Sequence, residues 1–368
     1  MMPRDDIPYR RWFPWLHLFK SIDLALSIRQ MILAAGSIVV LWMGHGLIDS
    51  IATDTTLVAE RGWEISEVTG PMAIPPFPAR TTVFTETARP WEDVLRSGMA
   101  VVAPHETFAL RLKAILHCCW SLAAWSLFGL MMCRLAARRL TRNEEGSFRK
   151  AIQYGVTRWI HGVVAPLLPA AAAGVVMVPA LVVAVSGRLP WIGPMFGVIS
   201  SPFVLFCNLI AAILLIAVFV GWPLMLAAIG TDDCDGFGGL SRSYSLWTGR
   251  PWYFGLCVLV AAGAGMVVLF LANALAYWTL YLSNVVIQVG MGDAPAATVS
   301  LSAIQFLSAF AIKTYFVSFF WTNATIVYVL LRQSVDGLPL DSMSPDDDER
   351  PKRDPFPVVG MPAMSSID

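Results

Sequence analysis

Residues 253–276 read YFGLCVLVAAGAGMVVLFLANALA, and this stretch decides the fold class because it contains no charged side chain over 24 residues. A helix needs about 20 mainly apolar residues to cross a hydrocarbon core about 30 Å thick, and a helix satisfies its backbone hydrogen bonds internally. We therefore predict that 253–276 is a membrane-spanning helix.

The rest of the chain shares this character. Of its 368 residues, 56% are hydrophobic and 14% are charged, and the mean hydropathy is +0.62. Too few polar side chains are present to cover a soluble globule of this size. The sequence predicts an all-α polytopic membrane protein, with about six transmembrane helices in three hairpins and with interfacial amphipathic helices.

Hydropathy divides the chain into spans and connecting segments. The predicted spans are 31–48, 114–133, 163–185, 199–229, 253–276 and 312–331. Around them we predict an amphipathic N-terminal segment 1–30, an extracytoplasmic segment 49–113, a basic loop 134–162, an elbow 230–252, an extracytoplasmic or interfacial segment 277–311, and a disordered tail 332–368. An apolar stretch at 299–310 leaves seven spans as an alternative.

The positions of Lys and Arg predict the orientation, because basic residues near span ends stay in the cytoplasm. Of the 26 basic residues, 18 fall in the segments 1–30, 134–162, 230–252 and 332–368, against seven in the other connecting segments. We expect a bacterial inner-membrane protein with both termini in the cytoplasm. The 26 acidic residues balance the basic ones, so no overall field indicates nucleic acid as a partner.

Two features of the predicted cytoplasmic side have amphipathic spacing. The N-terminal segment separates an apolar face (Trp12, Trp15, Leu18, Phe19, Ile22, Leu26) from a polar one (Lys20, Ser21, Asp23, Ser27, Gln30). The two inner loops also look alike, since each opens on Gly and Phe and ends on Arg and Trp before the next span. The corresponding residues are Gly146, Phe148, Tyr154, Arg158 and Trp159 in one loop and Gly236, Phe237, Tyr244, Arg250 and Trp252 in the other. We predict a repeated unit of elbow plus hairpin, and a helix break at Gly221 to Pro223.

A resemblance adds to this interpretation. The second loop, with Ser241, Arg242, Ser243, Tyr244, Gly249, Arg250 and Trp252, is similar to the membrane domain attached to some glycerophosphodiester phosphodiesterases. The whole chain, including Val335, Asp336 and Gly337 after the last span, resembles uncharacterised conserved multi-pass membrane proteins of planctomycete bacteria. The resemblance implies a helical membrane domain without an assigned reaction. The phosphodiesterase catalytic domain has no counterpart here, so we do not expect that activity.

Candidate metal ligands lie near the predicted outer ends of the first two spans. His45 and Asp49 are four residues apart and share a helix face, and His117 precedes Cys118 and Cys119. Imidazole and thiolate are ligands for a soft metal or haem. The alternative is that these groups bond to water, headgroups or carbonyls. Because metal sites usually show several ligands at fixed spacing, we predict no cofactor.

The predicted inner loops carry a second set of candidates. Basic side chains there are expected to contact anionic lipid or a membrane-protein partner, although their role in setting topology explains them equally well. They are Arg138, Arg139, Arg142, Arg149, Lys150, Arg242 and Arg250. Nearby, Asp232, Asp233 and Asp235 are predicted to cap the following helix.

No established catalytic motif occurs, so we predict no catalytic residues. The leading hypothesis is a non-enzymatic protein that organises the membrane, or acts as a scaffold or complex subunit. A small transporter or channel is the alternative, favoured by prolines within spans and by the amides Asn208, Asn273 and Asn323. A membrane metal or haem redox protein is a weaker alternative.

Overall fold

The computed structural model describes residues 14–51, 89–102, 108–142, 146–187, 193–292 and 294–337, and these ranges contain helices and no strand. The N-terminal segment before residue 14, the greater part of 49–113 and the tail beyond residue 337 lie outside them. After a 3-10 helix, Pro14–Phe19, come α1 (Lys20–Ala25), α2 (Ile28–Ile51), α3 (Arg89–Val102), α4 (Phe108–Arg142), α5 (Phe148–Ser186), α6 (Gly193–Asp232), α7 (Gly236–Gly249), α8 (Pro251–Met291) and α9 (Pro295–Asp336).

Six helices of the described chain are long and apolar enough to cross a membrane: α2, α4, α5, α6, α8 and α9. The predicted class, an all-α multi-pass membrane protein, is confirmed. The stretch 253–276 lies inside α8. The apolar stretch 299–310 belongs to the same continuous helix as 312–331, so it does not form a separate seventh helix.

The spans pair as three antiparallel hairpins, α2 with α4, α5 with α6, and α8 with α9. Their shared core lies where α4, α6 and α9 meet. There Trp321 packs edge-on against Trp222, with ring centroids 5.7 Å apart, and lies 6.4 Å from the ring of Trp125. All three indoles are buried. Gly129 allows α4 to approach, since a Cβ there would lie 3.0 Å from the Trp321 ring.

Helix α3 packs against this bundle, mainly on α4; its sequence falls in the segment predicted to be extracytoplasmic. The Trp91 ring lies 4.9 Å from the ring of Phe219 in α6 and 5.3 Å from that of Phe320 in α9. Trp125 Nε1 in α4 donates to Asp93 Oδ2 at 3.3 Å. With 14 residues, α3 is about 21 Å long, which is shorter than the bilayer's hydrocarbon core.

The N-terminal helix buries residues from both of the faces assigned to it. Leu18 of the apolar face and Ser21 of the polar face are fully buried, whereas Phe19 and Leu26 of the apolar face are exposed. The reason is packing against α9, where Ser318 Oγ donates to the Ala25 carbonyl at 2.8 Å. Gln30 is also buried, and its amide donates to the Met132 carbonyl at 3.0 Å.

The two inner loops differ in structure, which contradicts the predicted repeat. The second loop forms a separate helix, α7, whereas residues 148–162 of the first continue directly into α5. Pro251 explains the difference, because a proline disfavours the helical conformation of the residue before it. Arg250 accordingly has φ −139° and ψ 67°.

The break predicted at Gly221 to Pro223 is absent, and α6 continues through it.

The glycine at position 44 sets the distance between α2 and α4. A Cβ there would lie 1.9 Å from Trp120 Cε2, whereas a Cβ at Gly46 would meet nothing within 4 Å. Gly44→Ala should therefore lower the free energy of unfolding by about 1 to 3 kcal/mol through overpacking. The matched control, Gly46→Ala, should change it little. Thermal unfolding in detergent measures both, and equal melting temperatures would contradict this packing.

Candidate functional site

A chain of polar side chains crosses the interface between α2 and α4. The Nδ1 atoms of His45 and His117 are 2.6 Å apart. Beyond His45, the Ser121 hydroxyl lies 3.2 Å from Nε2. Beyond His117, Asp49 Oδ1 lies 3.1 Å from Nε2 and also 3.2 Å from Lys113 Nζ. We call these five residues the histidine chain.

Helical spacing explains how the two spans present these groups. Lys113, His117 and Ser121 lie at four-residue intervals on α4, and His45 and Asp49 have the same spacing on α2. Residues four apart lie on one helix face. Each span therefore carries a polar stripe, and the two stripes face one another. Gly44 adjoins His45 and lets the spans approach at this level.

The histidine chain is largely removed from solvent. His117 is 3% exposed and Lys113 2%, while Ser121 is fully buried. Ionisable groups within spans are costly unless they pair, and they often mark functional sites. The Lys113–Asp49 ion pair brings opposite charges together, so the formal charges of these five residues sum to zero when both imidazoles are neutral.

Hydrogen-bond chemistry assigns the protons when both imidazoles are neutral. An ionised carboxylate only accepts, so His117 must donate to Asp49 from Nε2 and keep a lone pair on Nδ1. His45 must then donate from Nδ1, which leaves its Nε2 to accept from the Ser121 hydroxyl. Donation therefore runs in one direction, from Ser121 through the two histidines to Asp49, with every ring nitrogen satisfied.

The candidate metal ligands are brought together only in part. His45 and His117 meet, but Cys118 is half-buried, Cys119 is exposed, and both are free thiols. Consecutive helix positions point about 100° apart, so the two thiols cannot share the face of His117. Within the described ranges, no group of three or more His, Cys, Asp or Glu could hold a metal ion.

A second cluster, the Asp232 clamp, joins three helices at the other end of the bundle. Asp232, the last residue of α6, is 3% exposed and pairs with Arg242 of α7 and Arg332 of α9. The Tyr328 hydroxyl of α9 donates to the same carboxylate at 2.5 Å. Burial alone would lower the pKa of Arg242, but the Asp232 carboxylate raises it. The guanidinium therefore remains charged.

Only one of the three predicted capping aspartates is shown to cap α7. Asp235 accepts from the Gly238 amide at 2.7 Å. Asp233 instead pairs with Arg158 of α5 at 3.2 Å, and Asp232 forms the clamp. Both bind arginines because they lie before the turn that starts α7, where neighbouring helices come within reach. Burial raises the pKa of the intervening Cys234 thiol to about 11.

The basic residues predicted to contact lipid or a partner lie in different surroundings. Arg149, Lys150 and Arg250 are exposed, and Arg242 is engaged by the clamp. Arg138 and Arg139 are half-buried, and Arg139 lies 3.8 Å from Asp23. The side chain of Arg142 lies outside the described residues.

Comparison with known proteins gives no relative. No family model, curated protein or solved structure matches this chain.

Sequence reasoning missed Lys113 and Ser121 of the histidine chain and both arginine contacts of Asp232. Spacing could have found the first two, since 113, 117 and 121 form a four-residue series in an apolar helix. No local signal could have found the clamp, because Asp232 and Arg332 are 100 residues apart.

Asp232 and Asp336 provide a matched pair of tests, because both contact Arg332. Asp232 is buried, whereas Asp336 is 43% exposed and lies 3.6 Å from the guanidinium. Asp232→Asn should lower the free energy of unfolding by about 3 to 5 kcal/mol, because it leaves the Arg242 and Arg332 guanidinium groups without their buried carboxylate partner. Asp336→Asn should cost at most about 1 kcal/mol.

Denaturation of the two variants in the same detergent measures the difference. If both lost the same stability, the clamp would have no special role in holding α6, α7 and α9 together.

Proposed function

We propose that this chain is a non-enzymatic protein of a bacterial inner membrane that organises the membrane or serves as a subunit of a membrane complex. Both termini lie in the cytoplasm in this proposal, as the distribution of basic residues favours. The chain is a member of the planctomycete group that it resembles. The observation that carries the proposal is the α8/α9 hairpin, which is longer than a bilayer requires.

Helices α8 and α9 have 41 and 42 residues, or about 60 Å each, against a hydrocarbon core of about 30 Å. Trp278 and Tyr281 of α8 are exposed and suit a position at headgroup depth. The hairpin continues beyond them with apolar side chains facing outward, such as Val289 at 85% and Val299 at 70% exposure. We call this part, 282–292 and 294–307, the hairpin tip.

An apolar surface beyond headgroup depth is unfavourable in water and usually marks a contact. A membrane-protein partner that packs on the hairpin tip would cover it. On the opposite side, Arg149, Lys150 and Arg250 are exposed and would attract anionic headgroups, at about 1 kcal/mol for each charge near the surface. Lipid binding there and protein binding at the tip together describe an organising or subunit role.

Site-specific photocrosslinking in the native membrane tests the partner. A photoreactive benzoylphenylalanine at Val289 should give an adduct with another protein. The matched control is Leu259 on the same helix, which is 71% exposed but lies inside 253–276, and it should give lipid adducts only. Absence of any protein adduct from Val289 and Val299 would contradict the proposed contact.

A transporter or channel is the second candidate, because the buried histidine chain is the kind of group that proton pathways use. The leading proposal predicts that liposomes containing the purified chain show the same proton and cation flux as empty liposomes. Flux that falls in His117→Asn, but persists in His161→Asn, would overturn it in favour of transport.

A further inference from the structure

We propose that His45 and His117 form a site for one Cu(I) ion, bound between their Nδ1 atoms. This inference goes beyond the organising role and does not depend on it. It rests on how the two rings face each other, on what holds their other nitrogens, and on the charge of the surroundings.

The two imidazoles meet edge to edge. Their ring centroids are 4.8 Å apart and their planes differ by 26°, while the Nδ1 atoms are 2.6 Å apart. The centroid separation exceeds the Nδ1–Nδ1 distance by about 2.2 Å. This difference is about twice the distance from an imidazole centroid to its own nitrogen, so both nitrogens lie almost on the line between the centroids. The two Nδ1 atoms therefore point at one another.

Each ring is held from its far side. His117 Nε2 is oriented by Asp49, at 3.1 Å, and His45 Nε2 by the Ser121 hydroxyl, at 3.2 Å. Histidine ligands of metals commonly have their second nitrogen fixed by a carboxylate or another acceptor, which sets the tautomer and the ring orientation. The histidine chain supplies this support at both ends, and the two Nδ1 atoms converge between them.

The two Nδ1 atoms point at one another along one line, which is the arrangement of ligands around a linear two-coordinate metal ion. Cu(I), with a filled d shell, accepts that geometry with imidazole ligands, whereas Zn²⁺ favours tetrahedral angles. With metal–nitrogen bonds of about 2 Å, the Nδ1 atoms must separate by roughly 1.4 Å. The two side chains must rotate to provide this movement.

Charge and protons also balance. The ion binds two neutral imidazoles. The proton of His45 moves from Nδ1 to Nε2, which then donates to the Ser121 oxygen while the hydroxyl hydrogen of Ser121 rotates away. No proton is released and no redox step is required. A singly charged ion costs less to bury than a doubly charged one, and Asp49 supplies a nearby negative charge alongside Lys113.

The experiment uses the full chain purified in lipid nanodiscs, loaded anaerobically with Cu(I) in excess ascorbate and then dialysed against a Cu(I) chelator. The wild type should retain one copper per chain. X-ray absorption should show two nitrogen neighbours at about 2 Å and no sulfur. His45→Asn and His117→Asn should lose the ion, while His161→Asn, a control on α5, should retain it.

Asp49→Asn and Ser121→Ala keep both ligands and should weaken retention by about 10- to 100-fold. No copper in the dialysed wild type would overturn the proposal and leave a hydrogen-bonded histidine pair. Sulfur neighbours in the absorption spectrum, or retention by the double variant of His45 and His117, would assign the ion to the cysteines and overturn it equally. The wild-type spectrum decides even where a histidine variant does not fold.

Discussion

The bilayer removes the usual reason for helices to pack, since lipid tails are as apolar as the side chains they would replace. Association between spans then depends on close backbone approach and on interhelical polar contacts. This chain uses both. Small residues such as Gly44 and Gly129 bring spans together against indole rings, and buried polar groups join helices that are distant in sequence.

The two polar clusters act at different places and have different consequences. The Asp232 clamp fixes the ends of α6, α7 and α9 relative to one another, because a single carboxylate receives two guanidinium groups and a phenol. The histidine chain joins only α2 and α4, and it orients two ring nitrogens toward one another. The clamp is therefore best understood as structural, whereas the histidine chain has the chemistry of a binding site.

The local hydropathy pattern was sufficient to predict the spans, because an apolar run of about 20 residues can form few stable structures other than a membrane-spanning helix. Pattern failed where tertiary contacts decided the outcome. Helix α3 packs on α4 because Asp93 and Trp91 find partners in the bundle, and no local pattern specifies these contacts. The two inner loops look alike in composition, yet one proline makes them different structures. Residue types alone drew attention to His45 and His117, but their direct contact depends on the register between α2 and α4, which no local pattern specifies.

The two histidines share a hydrogen bond across the interface between α2 and α4, and the proposed binding site depends on it. Solid-state NMR of the ¹⁵N-histidine-labelled chain in lipid, without added metal, tests it most directly, with His117→Asn to assign the signals. We expect a ¹⁵N–¹⁵N coupling between a protonated Nδ1 of His45 and an unprotonated Nδ1 of His117, with both rings neutral. Absence of any coupling between histidine ring nitrogens would contradict it.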